Sequence, residues 1–361
     1  VEGTAAEEQT GVRPEHDRRT SVILIRPVKS ASPVEHAVPT VLRRCCWLVG
    51  LCLVVGVGGL SEETAPPQTP STEAESDSIS ALPLSESPLS KQTLTACTDS
   101  TLQQRLHQEI SRSEWTELME QGNLAIGVVD LSVPADPHYA AVNGHHMLYA
   151  ASLPKIGILY TAVRQMEYGA LRPSPEVRSD LHKMVRVSSN AAATRMIDRV
   201  GGLRAVNQTL EHAPASLYDR DRGGGIWVGK RFSSDSRRRP DPLEGLSHAA
   251  TVHQVARFYT MVATGRLVNR ARSAQMLEIL SNPGLDHKFV HVLRRRAPEA
   301  SIYRKSGSWR TWHADSALVW GPERRYVIVA LVRDAQGGRV VRELLPMAEA
   351  ALGLSSPRSN S

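Results

Sequence analysis

The chain has 361 residues, of which 41% are hydrophobic and 22% charged, with a net charge of +6. That length and balance describe a globular protein of one large domain or two small ones. The charge fits attraction to anionic surfaces, but nucleic acid is excluded as a partner: the basic triplets 237–239 and 294–296 lie in polar stretches without interleaved aromatics and read as solvated loops.

Residues 1–41 are rich in charge and proline, lack periodicity, and are expected to be disordered or an over-extended start. Arg43-Arg44 then precede a charge-free run, CCWLVGLCLVVGVGGL at 45–60. A basic flank before such a run marks residues 42–60 as a signal peptide or membrane anchor. Membrane contact is expected only there, and the rest of the chain should lie outside the cytoplasm, periplasmic or secreted. Cys45, Cys46 and Cys52 all fall in this run, leaving Cys97 alone. An intramolecular disulfide framework elsewhere is therefore excluded; no C-x-x-C suggests a metal or redox site, and Cys97 is read as inert. Residues 61–98, dominated by Ser, Pro, Thr and Glu, cannot bury enough apolar surface to offset chain entropy and read as a linker. Leu94-Thr95-Ala96-Cys97 has the letters of a lipid-attachment box, but the sequence before it is polar, so the match is read as coincidence.

The folded part is expected over 99–354, with 355–361 as a tail. Asp99 opens an amphipathic helix, 124–131 reads as a buried strand, and 139–142 as a second strand closed by Asn143-Gly144. A largely helical stretch follows from Ser152 to about 280, broken by a loop rich in Gly, Arg and Pro at 219–245. His248 reads as the start of a helix and as a cap or packing residue. Three strands, 301–308, 313–320 and 326–333, and a helix over 340–352 complete the domain. Strands at both ends of a helical middle imply an α/β (α+β) fold, one sheet assembled from distant parts of the chain with helices packed on it.

Three segments carry chemistry. In Tyr149-Ala-Ala-Ser-Leu-Pro-Lys, Ser152 is placed at a helix start with Pro154 in the first turn and Lys155 on the same face. A desolvated lysine can be neutral enough to activate a serine hydroxyl, and the helix N-terminus favours developing negative charge. Ser188-Ser189-Asn190, followed by small residues, can place a hydroxyl and an amide at a cleft edge. Lys305-Ser306-Gly307-Ser308 lies on a strand where the glycine permits close backbone approach. Each alone has a bland account, as a helix cap or an exposed strand edge; the three in this order do not.

In that order and context the segments resemble the serine β-lactamase and penicillin-binding-protein superfamily, closest to the class A β-lactamase-like serine hydrolases. The resemblance implies a β-lactamase-like sandwich with an all-helical subdomain and no cofactor or metal. It assigns Ser152 as nucleophile, with Lys155 helping to remove its proton. Ser188 would pass a proton to the departing nitrogen, and Asn190 would bind the substrate amide and hold Lys155. Lys305 would supply positive potential, Ser306 and Ser308 hydroxyls for the substrate, and the N–H groups of Ser152 and Ser308 the oxyanion hole. The implied partner is a small β-lactam or a cell-wall peptide, met by a monomer.

The sequence departs from the family in two places. The loop after the Ser-x-Asn helix lacks the Glu-x-x-x-Asn pattern that activates the deacylating water; Asp219 and Asp221, and further on Glu244, are the candidate substitutes, or else partners of Arg220 and Arg222. The interval from Ser152 to Ser188 is short, so the helical subdomain should be reduced. Opening of a β-lactam through an acyl-enzyme is the leading expectation. A D,D-peptidase or related amidase or esterase is the alternative within the same chemistry, and a slowly deacylating sensor the alternative outside it. His313 and Asp315 alternate on the strand beside Lys305 and either face the cleft or pack under it. His145-His146 lacks a third ligand at zinc spacing, and residues 223–225 read as a flexible glycine turn.

Overall fold

The computed structural model describes residues 94–233 and 237–354. The segments at 1–41 and 42–60, nearly all of the 61–98 stretch, and the 355–361 tail lie outside the described residues. Among those described, no helix is long and apolar enough to cross a membrane.

The domain begins slightly earlier than expected. Leu94–Cys97 form a 3₁₀ turn, Leu94 is buried in the core, and Thr98 bridges to Tyr139. Helix α1 (Ser100–Ser111) is capped by Asp99, whose carboxylate accepts the Leu102 N–H at 2.7 Å. Its stripe of Leu102, Leu106 and Ile110 faces inward. A short α2 (Thr116–Glu120) leads to β1 (Leu124–Asp130) and β2 (His138–Val142), the turn between β2 and β3 (Leu148–Tyr149) opening on Asn143 at φ 53°.

Helices α3 (Lys155–Glu167), α4 (Pro175–Arg186), α5 (Asn190–Arg199) and α6 (Gly202–His212) follow. Ser174 and Ser189 cap α4 and α5 through their hydroxyls. Only α3 and α4 lie between Ser152 and Ser188, the small subdomain the spacing implied.

Within the described part of 219–245, residues 218–228 carry short paired strands instead of an irregular loop. Strands β4 (Tyr218–Asp219) and β5 (Gly224–Gly225) pair, and β6 (Trp227–Val228) pairs with β7 (His248–Ala250), which also pairs with β3. The glycines are thus not a flexible turn. Gly225 sits at φ 154° with the Leu217 carbonyl 2.2 Å from where a Cβ would be, so pairing demands a residue with none. His248 is likewise a buried strand residue; the next helix, α7 (Val252–Ala263), starts after it and is capped by Thr251.

Helix α8 (Arg270–Leu280) and α9 (Phe289–Arg296) come next. Arg294, Arg295 and Arg296 form the last turn of α9, not a loop, where cations complement the helix C-terminus. Arg296 also reaches the fully buried Glu349 at 2.7 Å, which is held as well by Arg324 and the Tyr326 hydroxyl. Strands β8 (Ser301–Trp309), β9 (Trp312–Trp320) and β10 (Arg325–Arg333) and helix α10 (Gly337–Ala351) close the chain.

One antiparallel sheet, in the order β2-β1-β10-β9-β8, joins strands from both ends of the domain as expected. Helices cover both faces, which is why β10 is apolar almost throughout instead of alternating. Its Val327, Val329 and Leu331 join the core under α3, α7 and α8. Its Tyr326, Ile328, Ala330 and Val332 join the second core under α1, α9 and α10. β8 is left as a free edge beside the Ser152 turn.

Candidate active site

Four elements meet at the free edge of β8. Ser152 lies in a tight turn over residues 151–154, and α3 proper starts at Lys155 with Pro154 as its N-cap residue. The helix begins later than the sequence suggested: residues 152–154 close tight i→i+3 turns, the Lys155 N–H meeting the Ser152 carbonyl at 3.3 Å, and Ala151, at φ 50°, turns the backbone just before the serine. A left-handed alanine is strained, and such strain is tolerated where the surrounding structure over-determines it.

The strand and the turn touch through Gly307. A Cβ on that residue would lie 2.3 Å from the Ala150 carbonyl oxygen, 2.6 Å from the Ser152 nitrogen and 2.9 Å from the Leu153 nitrogen. All three neighbours are backbone and cannot turn aside. Gly307→Ala should therefore push β8 from the Ser152 turn and destabilise the domain by about 1–3 kcal/mol, the usual cost of overpacking. Chemical denaturation of the variant checks this; wild-type stability would show that the contact is dispensable.

Lys155 is fully buried. Its Nζ donates to the Ser188 carbonyl at 2.6 Å and to Asn190 Oδ1 at 2.8 Å, with a longer contact of 3.4 Å to Ser188 Oγ. Lys305, also buried, donates to Ser188 Oγ at 3.0 Å and to the Ser306 carbonyl at 2.6 Å. One hydroxyl thus bridges two amines. Ser188 can do so because it too is left-handed, at φ 58°, turning both its carbonyl and its side chain toward the lysines while Ser189 caps α5. No hydrogen bond joins Ser152 Oγ to Lys155 Nζ; the amine is held by Ser188 and Asn190 instead. Ser306 is buried beside Lys305, and the Ser308 hydroxyl is turned to another lysine, Lys288, at 2.8 Å.

Burial dominates the electrostatics. It pushes the Lys155 ammonium down to about 7, with no carboxylate opposing the fall. Lys305 is held well below the ordinary lysine range by burial and by the neighbouring charges of Lys155 and Arg304. Two amines sharing one hydroxyl cannot both stay charged cheaply, so a neutral amine is available near pH 7.

None of the carboxylates put forward for the loop reaches these groups. Asp219 accepts the Asp221 N–H at 3.0 Å and faces Arg222 at 3.6 Å. Arg220 instead pairs with Glu211, and Asp221 and Glu244 are exposed. The place beside Lys155 is taken by Phe232, whose ring centre lies 4.4 Å from Nζ. Phe232 stacks on His248, 4.4 Å between ring centres, and burial pushes that histidine down to about 3, so it stays neutral. Sequence reading missed Phe232, since one aromatic in an arginine-rich loop gives no signal of what it covers.

The remaining candidates are structural. Asp315, fully buried, binds the Arg304 guanidinium at 2.7 and 2.8 Å and accepts the Phe289 N–H, so it packs under the cleft rather than facing it. His313 packs against Gly337, and His145 against the ring of His253.

The profile described as the β-lactamase enzyme family matches residues 174–352. Among solved structures, PBP-A is similar at 19% identity, covering 71% of this chain and 97% of that one, with a TM-score of 0.52. A β-lactamase from Sphaerobacter thermophilus is similar at 17% identity over 70% and 99% of the two chains, TM-score 0.53. One from Chitinophaga pinensis is similar at 14% identity over 70% and 100%, TM-score 0.53. No curated protein matches the sequence significantly.

Proposed function

Starting from a domain of the class A β-lactamase-like fold, we propose that this protein is a serine hydrolase that opens β-lactams by acylating Ser152 and releases the product slowly. The observation that carries the reading is the pair of buried lysines on the Ser188 hydroxyl, next to a serine held against the edge of β8. A related protein of the same fold, a PBP-A mutant, has been captured as an acyl-enzyme complex with penicillin G.

Neutral Lys155 accepts the Ser152 proton as Oγ attacks the lactam carbonyl carbon. The new oxyanion is received by the N–H groups of Ser152 and Ser308. The C–N bond then breaks, and the proton passes from Lys155 through the Ser188 hydroxyl to the departing nitrogen, leaving an ester on Ser152 and a neutral amine at Lys155. Lys305 keeps the Ser188 hydroxyl in place and makes the site positive for a substrate carboxylate. Hydrolysis of the ester needs an activated water, and among the described residues no carboxylate is bonded to Lys155 to activate one. That same lack supports a second reading, in which cell-wall peptides are the natural acyl donors, as in a D,D-peptidase.

Incubating the full chain with penicillin G should add one penicillin mass, recovered on the peptide containing Ser152; no covalent adduct would refute the reading. The acylation rate should also follow the Lys155 amine. Burial disfavours its charged form, so the reactive neutral form grows as pH rises through about 7. Acylation should therefore climb through that pH and then level off, whereas a profile flat from about pH 5 to about pH 9 would remove Lys155 as the base.

A further inference from the structure

We propose that Lys288 is a positioning residue for acyl transfer: its ammonium, seated on the Gly307 carbonyl, orients and polarises the peptide whose N–H, on Ser308, receives the oxyanion. The inference rests on the acyl-transfer reading above.

Lys288 is 3% exposed and precedes α9 with φ 54°, a left-handed conformation that a side chain normally avoids. It is fixed there from both sides. The next residue, Phe289, donates its N–H to Asp315 at 3.1 Å, and Asp315 is locked in turn by Arg304. From this anchor the Lys288 Nζ donates to the Gly307 carbonyl at 2.5 Å, to Ser308 Oγ at 2.8 Å and to the Ala314 carbonyl at 3.0 Å. All three ammonium donors are used inside the protein, so Lys288 has none left for a substrate.

Gly307 and Ala314 are register partners across β8 and β9. An Nζ that meets both carbonyls sits over the strip between the strands, so the Gly307 carbonyl points into the sheet. The Gly307–Ser308 peptide is planar and trans, which sends the Ser308 N–H the opposite way, off the free edge of β8. There Gly307 packs against the Ser152 nitrogen, the other oxyanion donor. A cation on the carbonyl end of a peptide draws electron density from its nitrogen and strengthens the N–H as a donor, since linked hydrogen bonds polarise one another. The arrangement places this field behind the oxyanion without exposing a charge to solvent. Burial pushes the Lys288 ammonium only to about 8, with Asp315 resisting the fall, so the charge is present at neutral pH.

The test compares full-length wild type with Lys288→Met and Lys288→Arg. It follows the acylation rate with penicillin G and the infrared carbonyl band of the Ser152 ester. Lys288→Met should acylate about ten- to a hundredfold more slowly, somewhat less than the roughly 10² to 10³ lost with a whole oxyanion donor. Its ester band should move to higher wavenumber as the carbonyl loses hydrogen bonding, and Lys288→Arg should restore most of both. A folded Lys288→Met with wild-type rate and unmoved band would overturn the assignment, leaving Lys288 a sheet support. Should the methionine variant not fold, Lys288→Gln, which keeps a neutral donor for Gly307, should show the same band shift in smaller measure; an unmoved band there overturns the assignment equally. Wild type that forms no ester at all would instead sink the acyl-transfer reading on which the inference depends.

Discussion

Ser152→Ala should abolish covalent labelling by a fluorescent penicillin, a loss of about 10⁴-fold or more, because the proposed mechanism puts the ester on the Ser152 oxygen. The turn that holds Ser152 gets its shape from the left-handed Ala151 and from the contact of Gly307 with the backbone of residues 150–153. The serine side chain contributes to neither, so the variant should fold normally. Lys155→Gln offers a graded comparison: it keeps Ser152 and removes only the base, which typically costs about 10² to 10⁴. Undiminished labelling of folded Ser152→Ala would mean that the nucleophile lies elsewhere and that the lysine pair serves another purpose.

The second large effect concerns release. With β-lactam in excess, product should appear as a burst of one equivalent per chain followed by slow turnover, since among the described residues no carboxylate stands bonded to Lys155 to activate a water. Loss of a well-placed general base slows its step by about 10² to 10⁴. The aromatic ring of Phe232 lies over Lys155, the Asp219 carboxylate is engaged with Arg222 and the Asp221 N–H, and Asp221 is exposed. Asp219→Asn and Asp221→Asn should therefore leave both the burst amplitude and the adduct lifetime unchanged. Rapid steady-state hydrolysis without a burst would contradict this account of the loop. An adduct that lives longer in either variant would show that the aspartate reaches the ester after acylation, by a movement of the 219–222 segment.

The chemistry-bearing segments were legible because each depends on local backbone geometry. A serine and a lysine three residues apart in a turn leading into a helix are neighbours wherever that helix packs. A glycine after Lys-Ser on an edge strand signals close approach before its contact is known. The sheet was legible for a similar reason: the short apolar runs at 124–131 and 326–333, bounded by polar residues, read as strands. Other readings failed where a local pattern met a tertiary constraint. His248 looks like a helix opener, but the hydrogen-bonding partners offered by β3 and β6 draw it into a strand, and Thr251 does the capping. The triple glycine looks flexible, yet the Leu217 carbonyl pressed against Gly225 makes it a required close contact. Arg294 and Arg295 are exposed as they look, but Arg296 is drawn onto the buried Glu349, which lies more than fifty residues away in sequence.

The architecture, the Ser152–Lys155 turn and the two segments that the fold brings beside it could be read from sequence alone, because periodicity and short spacing act within a few residues. Only the tertiary structure decided what surrounds the amines: that Lys155 and Lys305 converge on one hydroxyl, that the Phe232 ring covers Lys155, and that Lys288 sits on the Gly307 carbonyl. These are matters of burial and of partners far apart along the chain. A lysine becomes a base or a structural cation according to how much water and how many opposing charges it retains, and no local pattern carries that information.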